Sequence, residues 1–289
     1  MGPTEAKIGD TVTFSCVTSP SNPRADIAWF KGGQTLEAAH TTTHISPEGG
    51  WTTSSNVSFK IESTDRSVLV TCQGINRDLV ESKGASHMID VIQPPGYPRI
   101  YRASSNVTEG QLQRVMCTST GGHPKPELTW YRGSRKLQSV RRVDGNTVTA
   151  ELTLTANRTD NGVTFKCEAS SKAISSSQPL SETVSFQVLF QPANVSIKTE
   201  GVLKEGEKIN MTCEAAYSNP PAIVSWWRDG ISIPAPTNES PDSKFGGKKA
   251  STTLELELTS EFDNAVYTCQ ALNNAIKQSV HDAITLQVL

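Results

Sequence analysis

Apolar and polar residues alternate in short runs along this 289-residue chain, as in Ile27-Ala28-Trp29-Phe30, Val224-Ser225-Trp226 and Val266-Tyr267-Thr268-Cys269. A period of two is that of a β-strand with one face buried. By that parity Ile27 and Trp29 point inward and Ala28 and Phe30 outward; Tyr131 and Trp227 take the place of Phe30 in two later runs. No apolar run approaches the ~18 residues that would cross a bilayer. Ser (32) and Thr (31) fill much of the polar surface; Thr favours strands and Ser favours turns. The pattern predicts an all-β protein.

The runs repeat. Cys16, Cys72, Cys117, Cys167, Cys213 and Cys269 fall into sequential pairs 56, 50 and 56 residues apart. Thirteen residues after the first cysteine of each pair stands a tryptophan (Trp29, Trp130, Trp226), and seven before it a glycine (Gly9, Gly110, Gly206). The period, 101 and then 96 residues, is that of one small domain. Pro94-Pro95-Gly96-Tyr97-Pro98 and Gln191-Pro192 mark the junctions, because proline interrupts a central strand. The expected domains are therefore residues 1–93, 94–190 and 191–289, joined by short, stiff, proline-bearing linkers. Leu189-Phe190-Gln191-Pro192 reads as a final strand entering its linker. In domains 2 and 3 the first cysteine follows the linker proline by 23 and 21 residues, whereas only 15 residues precede Cys16. The first, or A, strand is expected to be missing from domain 1, as in a trio cut from a longer chain.

Charge narrows the function. The net charge is −2, so no basic footprint for nucleic acid or an anionic membrane exists. The first residues, Met1-Gly2-Pro3-Thr4-Glu5-Ala6-Lys7, lack the apolar core of a signal peptide. No nucleophile elbow, phosphate loop, HExxH or CxxC motif occurs, and no enzyme activity or cofactor is expected. His40 and His44 share one parity but flank Thr41-Thr42-Thr43 and read as exposed loop residues, so no metal site is expected. Arg132-Gly133-Ser134 lacks the aspartate of an integrin-type tripeptide.

The Cys–Trp–Cys spacing, three times over, resembles the immunoglobulin superfamily along the whole chain. The resemblance implies three tandem two-sheet sandwiches, with disulfides Cys16–Cys72, Cys117–Cys167 and Cys213–Cys269 joining strands B and F, and with the tryptophan of strand C packed against each. Such a bond closing ~55 residues contributes roughly 4 kcal/mol in the chain-entropy model. Tyr267, two residues before Cys269, matches the tyrosine corner; Phe165 and Val70 stand there in domains 2 and 1. Six Asn-x-Ser/Thr acceptors (Asn56, Asn106, Asn157, Asn194, Asn210, Asn238) favour an extracellular chain with oxidised cysteines.

The stretch Ser-Asn-Pro-x-Ala-x-(Ile/Val)-x-Trp-aromatic-(Lys/Arg), at Ser21–Lys31 and again at Ser218–Arg228, resembles nephrin and the sticks-and-stones adhesion receptors; His123–Trp130 is similar to nectin-like and Kirrel-like domains. That resemblance implies a cell-surface receptor, part of a longer type I membrane protein whose anchor lies outside these residues. Its partners would be immunoglobulin-superfamily proteins in cis or trans, bound homophilically or heterophilically on apposed cells through C-F-G sheet faces. Nucleic acid and direct membrane insertion are not expected. The rival classes are a soluble or immune-type receptor and the ectodomain of a receptor kinase or phosphatase.

The acceptors bear on which face is free. Asn194 is assigned to strand A, Asn106 to A or A′, Asn210 outward on B, Asn56 outward at the start of E, Asn157 to the E–F turn and Asn238 to the loop after Ile233. None falls on C, F or G. Since a glycan excludes a partner, the A-B-E face is expected to be shielded. The C-F-G face, carrying Phe30, Thr71, Gln73, Tyr131 and Trp227, is expected to be bare, and aromatics are enriched at interfaces.

Overall fold

A computed structural model describes residues 1–289. Three hydrophobic cores, one per repeat, are centred on Trp29, Trp130 and Trp226. In domain 1, β2 (Thr11–Val17), β6 (Trp51–Lys60) and β5 (His40–Ile45) form one sheet; β1 (Glu5–Lys7), β8 (Glu81–Pro95), β7 (Ser67–Asn76), β3 (Asp26–Lys31) and β4 (Gln34–Leu36) form the other. These are strands B-E-D against A′-G-F-C-C′. In domain 2 the A-B-E-D sheet is β9 (Arg99–Arg102), β11 (Leu112–His123), β15 (Thr147–Thr155) and β14 (Val140–Asp144). Its C′-C-F-G sheet is β13 (Arg135–Leu137), β12 (Glu127–Arg132), β16 (Thr164–Ser170) and β17 (Leu180–Ser185), while β10 (Asn106–Thr108) pairs in parallel with β18 (Gln187–Leu189). Domain 3 sets β19 (Val195–Glu200), β20 (Lys208–Ser218), β24 (Gly247–Glu257) and β23 (Asn238–Lys244) against β22 (Ile231–Ile233), β21 (Ile223–Arg228), β25 (Val266–Asn273) and β26 (Gln278–Thr285).

The repeated markers each have a physical job. Cys16–Cys72, Cys117–Cys167 and Cys213–Cys269 are bonded across the two sheets. Gly9, Gly110 and Gly206 turn the chain into strand B at φ of +91°, +85° and +84°. There each donates its N–H to the carbonyl just past strand E (Ile61, Ala156, Leu258), and an L side chain would be strained in that conformation. Trp29 donates Nε1–H to Ser55 Oγ and Trp130 to the Ala150 carbonyl, both at 3.0 Å. The cation after each strand-C aromatic reaches the E–F turn: Lys31 to Asp65 at 2.9 Å, Arg132 to Asp160 at 2.8 Å and Arg228 to the Glu261 carbonyl at 3.0 Å. Burial pushes the Asp65 carboxyl up, but hydrogen bonds from Lys31 and the Glu62 N–H outweigh it and hold the group below its usual value. Tyr267 is buried, which raises its hydroxyl pKa against the opposing pull of Arg228; Phe165 and Val70 fill the same corner with apolar surface.

Two boundary details differ from expectation. The prolines at the first junction do not end the strand: β8 continues through Pro94 to Pro95, because beyond Ile92 it pairs only with the tail of β11. Those pairs are Gln93↔His123 and Pro95↔Gly121, and the Gly96 N–H then donates to the Thr120 carbonyl at 2.8 Å. Gly122, at φ +86°, packs so closely that a Cβ would lie 2.9 Å from Pro95. At the second junction Phe190, expected to end the last strand of domain 2, is a fully buried wedge between domains 2 and 3, with Arg158 of domain 2 stacked 4.7 Å from its ring. His40 and His44 stand on β5 rather than in a loop, because their threonine neighbours pair with β6; both remain exposed.

Candidate interaction faces

The outer face of each C-F-G sheet is set by strand register. In domain 1, Phe30 lies beside Thr71, and Thr71 beside Ser86; Ala28 lies beside Gln73, and Leu69 beside Met88. Thr71 and Ser86 share a hydrogen bond of 2.9 Å, and Gln73 Nε2 donates to Ser82 Oγ at 3.0 Å. Ala28, Phe30, Leu69, Thr71, Gln73, Ser86 and Met88 all face outward and none is charged, while Asp26 and Asp90, of the same parity, stand at the ends of the face. Leu69 and Met88 are 40% and 53% exposed.

Domain 3 repeats this face. Trp227 lies beside Thr268 and Ser225 beside Gln270, as Phe30 and Ala28 lie beside Thr71 and Gln73. Gln270 Nε2 donates to Ser279 Oγ at 3.1 Å, the bond that Gln73 makes to Ser82. Trp227 turns its indole N–H to Ser225 Oγ at 3.0 Å, leaving the ring as the outward surface. Ile223 and Val266 add exposed apolar area.

Domain 2 departs from the expectation for Tyr131. The positions matching Thr71 and Gln73 are Lys166 and Glu168, which pair at 2.8 Å, and Lys166 Nζ sits 4.9 Å over the Tyr131 ring. The aromatic is covered by a cation and the face is charged. The exposed apolar residues of domain 2 lie on the opposite sheet, where Tyr101, Met116 and Val140 form one row across β9, β11, β15 and β14.

The acceptor asparagines follow the same division. All six are exposed. In domains 1 and 3, Asn56 and Asn210 point outward from strands E and B, and Asn194 immediately precedes strand A. Asn56 stands mid-strand rather than at the start of E, since β6 already pairs with β5 from Trp51. Asn238 is not in a loop: it opens strand D, opposite Ser251. In domain 2, Asn157 caps the E–F turn by accepting from the Thr159 N–H at 3.0 Å, and Asn106 lies on A′ beside Gln187, at the edge of the C-F-G layer.

One feature carried no weight in the motif yet organises the domain tops. Four residues after the second cysteine stands Asn76 in domain 1 and Asn273 in domain 3, with Ser171 at that place in domain 2. Asn76 Nδ2 donates to Ser21 Oγ at 2.9 Å and to the Pro23 carbonyl at 3.3 Å, so it holds the Ser-Asn-Pro turn; Asn273 does the same with Ser218 and Pro220. The recurrence of Asn at this offset with Ser-Asn-Pro is the signal that could have found it.

No helix is long and apolar enough to cross a membrane. Three tandem two-sheet sandwiches, each with a cross-sheet disulfide and a core tryptophan, define an immunoglobulin-type fold. The CD80-like C2-set immunoglobulin domain matches residues 2–83 and 98–178, more than half of the chain, and the immunoglobulin domain model matches residues 192–273. The chain belongs to the immunoglobulin C2-set family. It is homologous to nephrin: human nephrin is 28% identical across 96% of this chain, which spans about a quarter (23%) of that protein's length. Human cell adhesion molecule 4 is 31% identical over 58% of this chain and 42% of its own. Among solved structures, the ectodomain of mouse nectin-like molecule 4 covers the whole chain and 97% of its own, at TM-score 0.56 and 21% identity. The complex of Dpr2 with DIP-Theta matches 99% of the chain and 97% of its own, at 0.55 and 20%. These two show the fold.

Proposed function

We propose that this chain is the extracellular part of a membrane-anchored adhesion receptor, not an enzyme, that binds other immunoglobulin-superfamily proteins on apposed cells, alike or different. The contacts run through the C-F-G faces of domains 1 and 3. The observation that carries this reading is the pair of matching faces with uncharged centres, each with an outward aromatic and a Thr-x-Gln on strand F, and with no acceptor asparagine of those two domains on strands C, F or G. An uncharged, partly apolar patch with an aromatic anchor suits the core of a protein interface. The homology to nephrin and to cell adhesion molecules agrees with it. Glycans at the six asparagines would then confine partners to the bare faces.

The test is bead aggregation in a glycosylating host, with the chain alone and mixed with nephrin-like, nectin-like and Kirrel-like ectodomains. Thr71→Asn with Gln73→Thr places an acceptor at the centre of the domain 1 face, and Thr268→Asn with Gln270→Thr does so in domain 3. Aggregation should fall at least tenfold in one of these. Undiminished aggregation with both sites glycosylated overturns the assignment of the faces.

A further inference from the structure

The net charge of −2 conceals an uneven division along the chain. Residues 94–190 carry 12 Lys and Arg against 7 Asp and Glu, a balance of +5; domain 1 has 7 against 10 and domain 3 has 8 against 12, balances of −3 and −4. Part of the excess in domain 2 is engaged. Arg132, Arg158, Lys166 and Lys172 each hold a carboxylate at 2.7–2.8 Å, and Lys136 leans on Glu127 at 3.7 Å. Those pairs use up four of the seven acids of domain 2, and a fifth, Glu182, accepts from the Ile100 N–H at 2.7 Å. Arg135, Arg141 and Arg142 are left exposed and without a carboxylate partner.

The fold gathers these groups on one edge. β13 and β14 are edge strands of the two opposed sheets, and only Gln138 and Ser139 separate them, so Arg135, Lys136, Arg141 and Arg142 fall within eight residues. Lys136 lies beside Tyr131, on the outer C-F-G face, and Arg142 beside Thr149, on the outer face of the other sheet. Arg135 lies beside Arg132 and Arg141 beside the buried Ala150; both have inward parity, yet at the open edge both side chains are exposed. The result is a strip of cations running round the edge from one sheet to the other. The row Arg142, Thr149, Thr118 and Arg99 continues it across four strands.

The other two domains are controls within the same molecule. Strand register matches Arg135–Arg142 with Gln34–Thr41 and with Ile231–Asn238, and neither of those segments contains a Lys or Arg. Each of those edges also has a glycan acceptor: Asn238 opens strand D in domain 3, and Asn56 stands opposite His40 of strand D in domain 1. In domain 2 the acceptors are Asn106 on A′ and Asn157 at the E–F turn, so its basic edge is free of them.

We propose that the edge formed by β13 and β14 of domain 2 binds a linear sulfated polysaccharide. Four cations in eight residues form a polyanion footprint, and the planar guanidinium forks of Arg135, Arg141 and Arg142 suit the oxygens of a sulfate group. Mutual repulsion along the strip is relieved when an anion sits on it. The segment between the cations offers Gln138 and Ser139 for hydrogen bonds and no aromatic on which a nucleic-acid base would stack. Three disulfides suit a compartment where the abundant polyanions are sulfated sugars. The inference rests on the extracellular part of the reading above and not on the C-F-G faces.

The experiment measures binding of the glycosylated chain to immobilised heparin in a biosensor at about 0.15 M salt, with fully desulfated heparin as the uncharged comparison. The native chain should bind heparin and not the desulfated form. Arg135→Ser, Lys136→Ser, Arg141→Ser and Arg142→Ser together should weaken binding about tenfold or more and flatten its salt dependence. Lys198→Ser with Lys204→Ser, which removes cations from domain 3, should stay within about twofold of native. A second variant guards against misfolding: Gln138→Asn with Val140→Thr creates a glycan acceptor in the middle of the strip. It should lose binding when glycosylated and recover that of the equally treated native chain after enzymatic removal of the glycans. No binding by the native chain, equal binding to desulfated heparin, or equal loss in the domain 3 variant overturns the inference. So does self-association of the native chain that the fourfold variant abolishes while heparin leaves it untouched, since the strip would then belong to an acidic domain of a second copy. Aggregation of coated beads is read separately, so a failure here leaves the C-F-G proposal standing.

Discussion

Domains 1 and 3 form a pair from which domain 2 stands apart. The pair shares the Ser-Asn-Pro turn, the asparagine that holds it and an uncharged centre of the C-F-G face; domain 2 has Gly122, Ser171 and the Lys166–Glu168 pair at those places. Its turn serves instead to grip domain 1, through the β8–β11 pairing and the His123–Asp90 contact of 2.8 Å. The junctions differ in the same sense. The first rests on strand-end pairing and exposed polar contacts, including Lys172–Glu5 at 2.8 Å, and the second on a buried aromatic. One sandwich plan therefore yields faces of different charge, according to what stands at two positions of strand F.

The largest effect that would break this comparison is on adhesion. Lys166→Asn with Glu168→Thr puts a glycan on the domain 2 face at the site equivalent to Thr71, and bead aggregation should stay within twofold of wild type. A loss matching that of the domain 1 variant would put recognition on all three domains. Next is the wedge: Phe190→Ala should cost about 3–5 kcal/mol in chemical denaturation, as for other buried aromatics, and small-angle scattering should show the second junction loosened. Below it, Asn273→Ala should cost about 2–3 kcal/mol and Asn76→Ala about 1 kcal/mol, because the Asn273 bonds to the Phe190 and Asn219 carbonyls are buried whereas those of Asn76 to Ser21 and Pro23 are only part-buried. Equal losses would mean that the two turns are already equivalent.

The smallest effect is a pH dependence confined to domain 2. Glu109 accepts from Arg158 Nε, Nη2 and N at 2.9, 2.7 and 3.1 Å, and Arg158 in turn stacks on Phe190. These bonds, opposed by partial burial, hold the Glu109 carboxyl below its usual 4.5. Its stabilisation is therefore present above that value and is lost as pH falls through the depressed folded value. Glu109→Gln should lower stability near neutral pH by about 1 kcal/mol and flatten the pH profile of domain 2 unfolding between pH 4.5 and 2. Calorimetric scans of both proteins over that range check it, and a parallel pair of profiles would contradict it.

Much of this was legible along the chain. The Gly–Cys–Trp offsets reflect local needs, a positive-φ turn, a cross-sheet bond and a core ring, and so they repeat at fixed spacing. The outward direction of Phe30, Tyr131 and Trp227 followed from strand parity alone. The cover on Tyr131 did not: Lys166 is 35 residues away and reaches the ring through the β12–β16 register. Asn238 read as loop because its segment, Asn-Glu-Ser-Pro, has no strand character of its own; pairing with β24 imposes it.

By itself, then, the sequence determined three disulfide-bearing sandwiches and the side-chain parity of the strands around each cysteine and tryptophan, because these depend on residues near one another along a strand. Only the tertiary structure decided which outward aromatic lies under a cation and which joint is wedged by Phe190. Those outcomes depend on groups distant in sequence that sheet pairing and domain docking bring together.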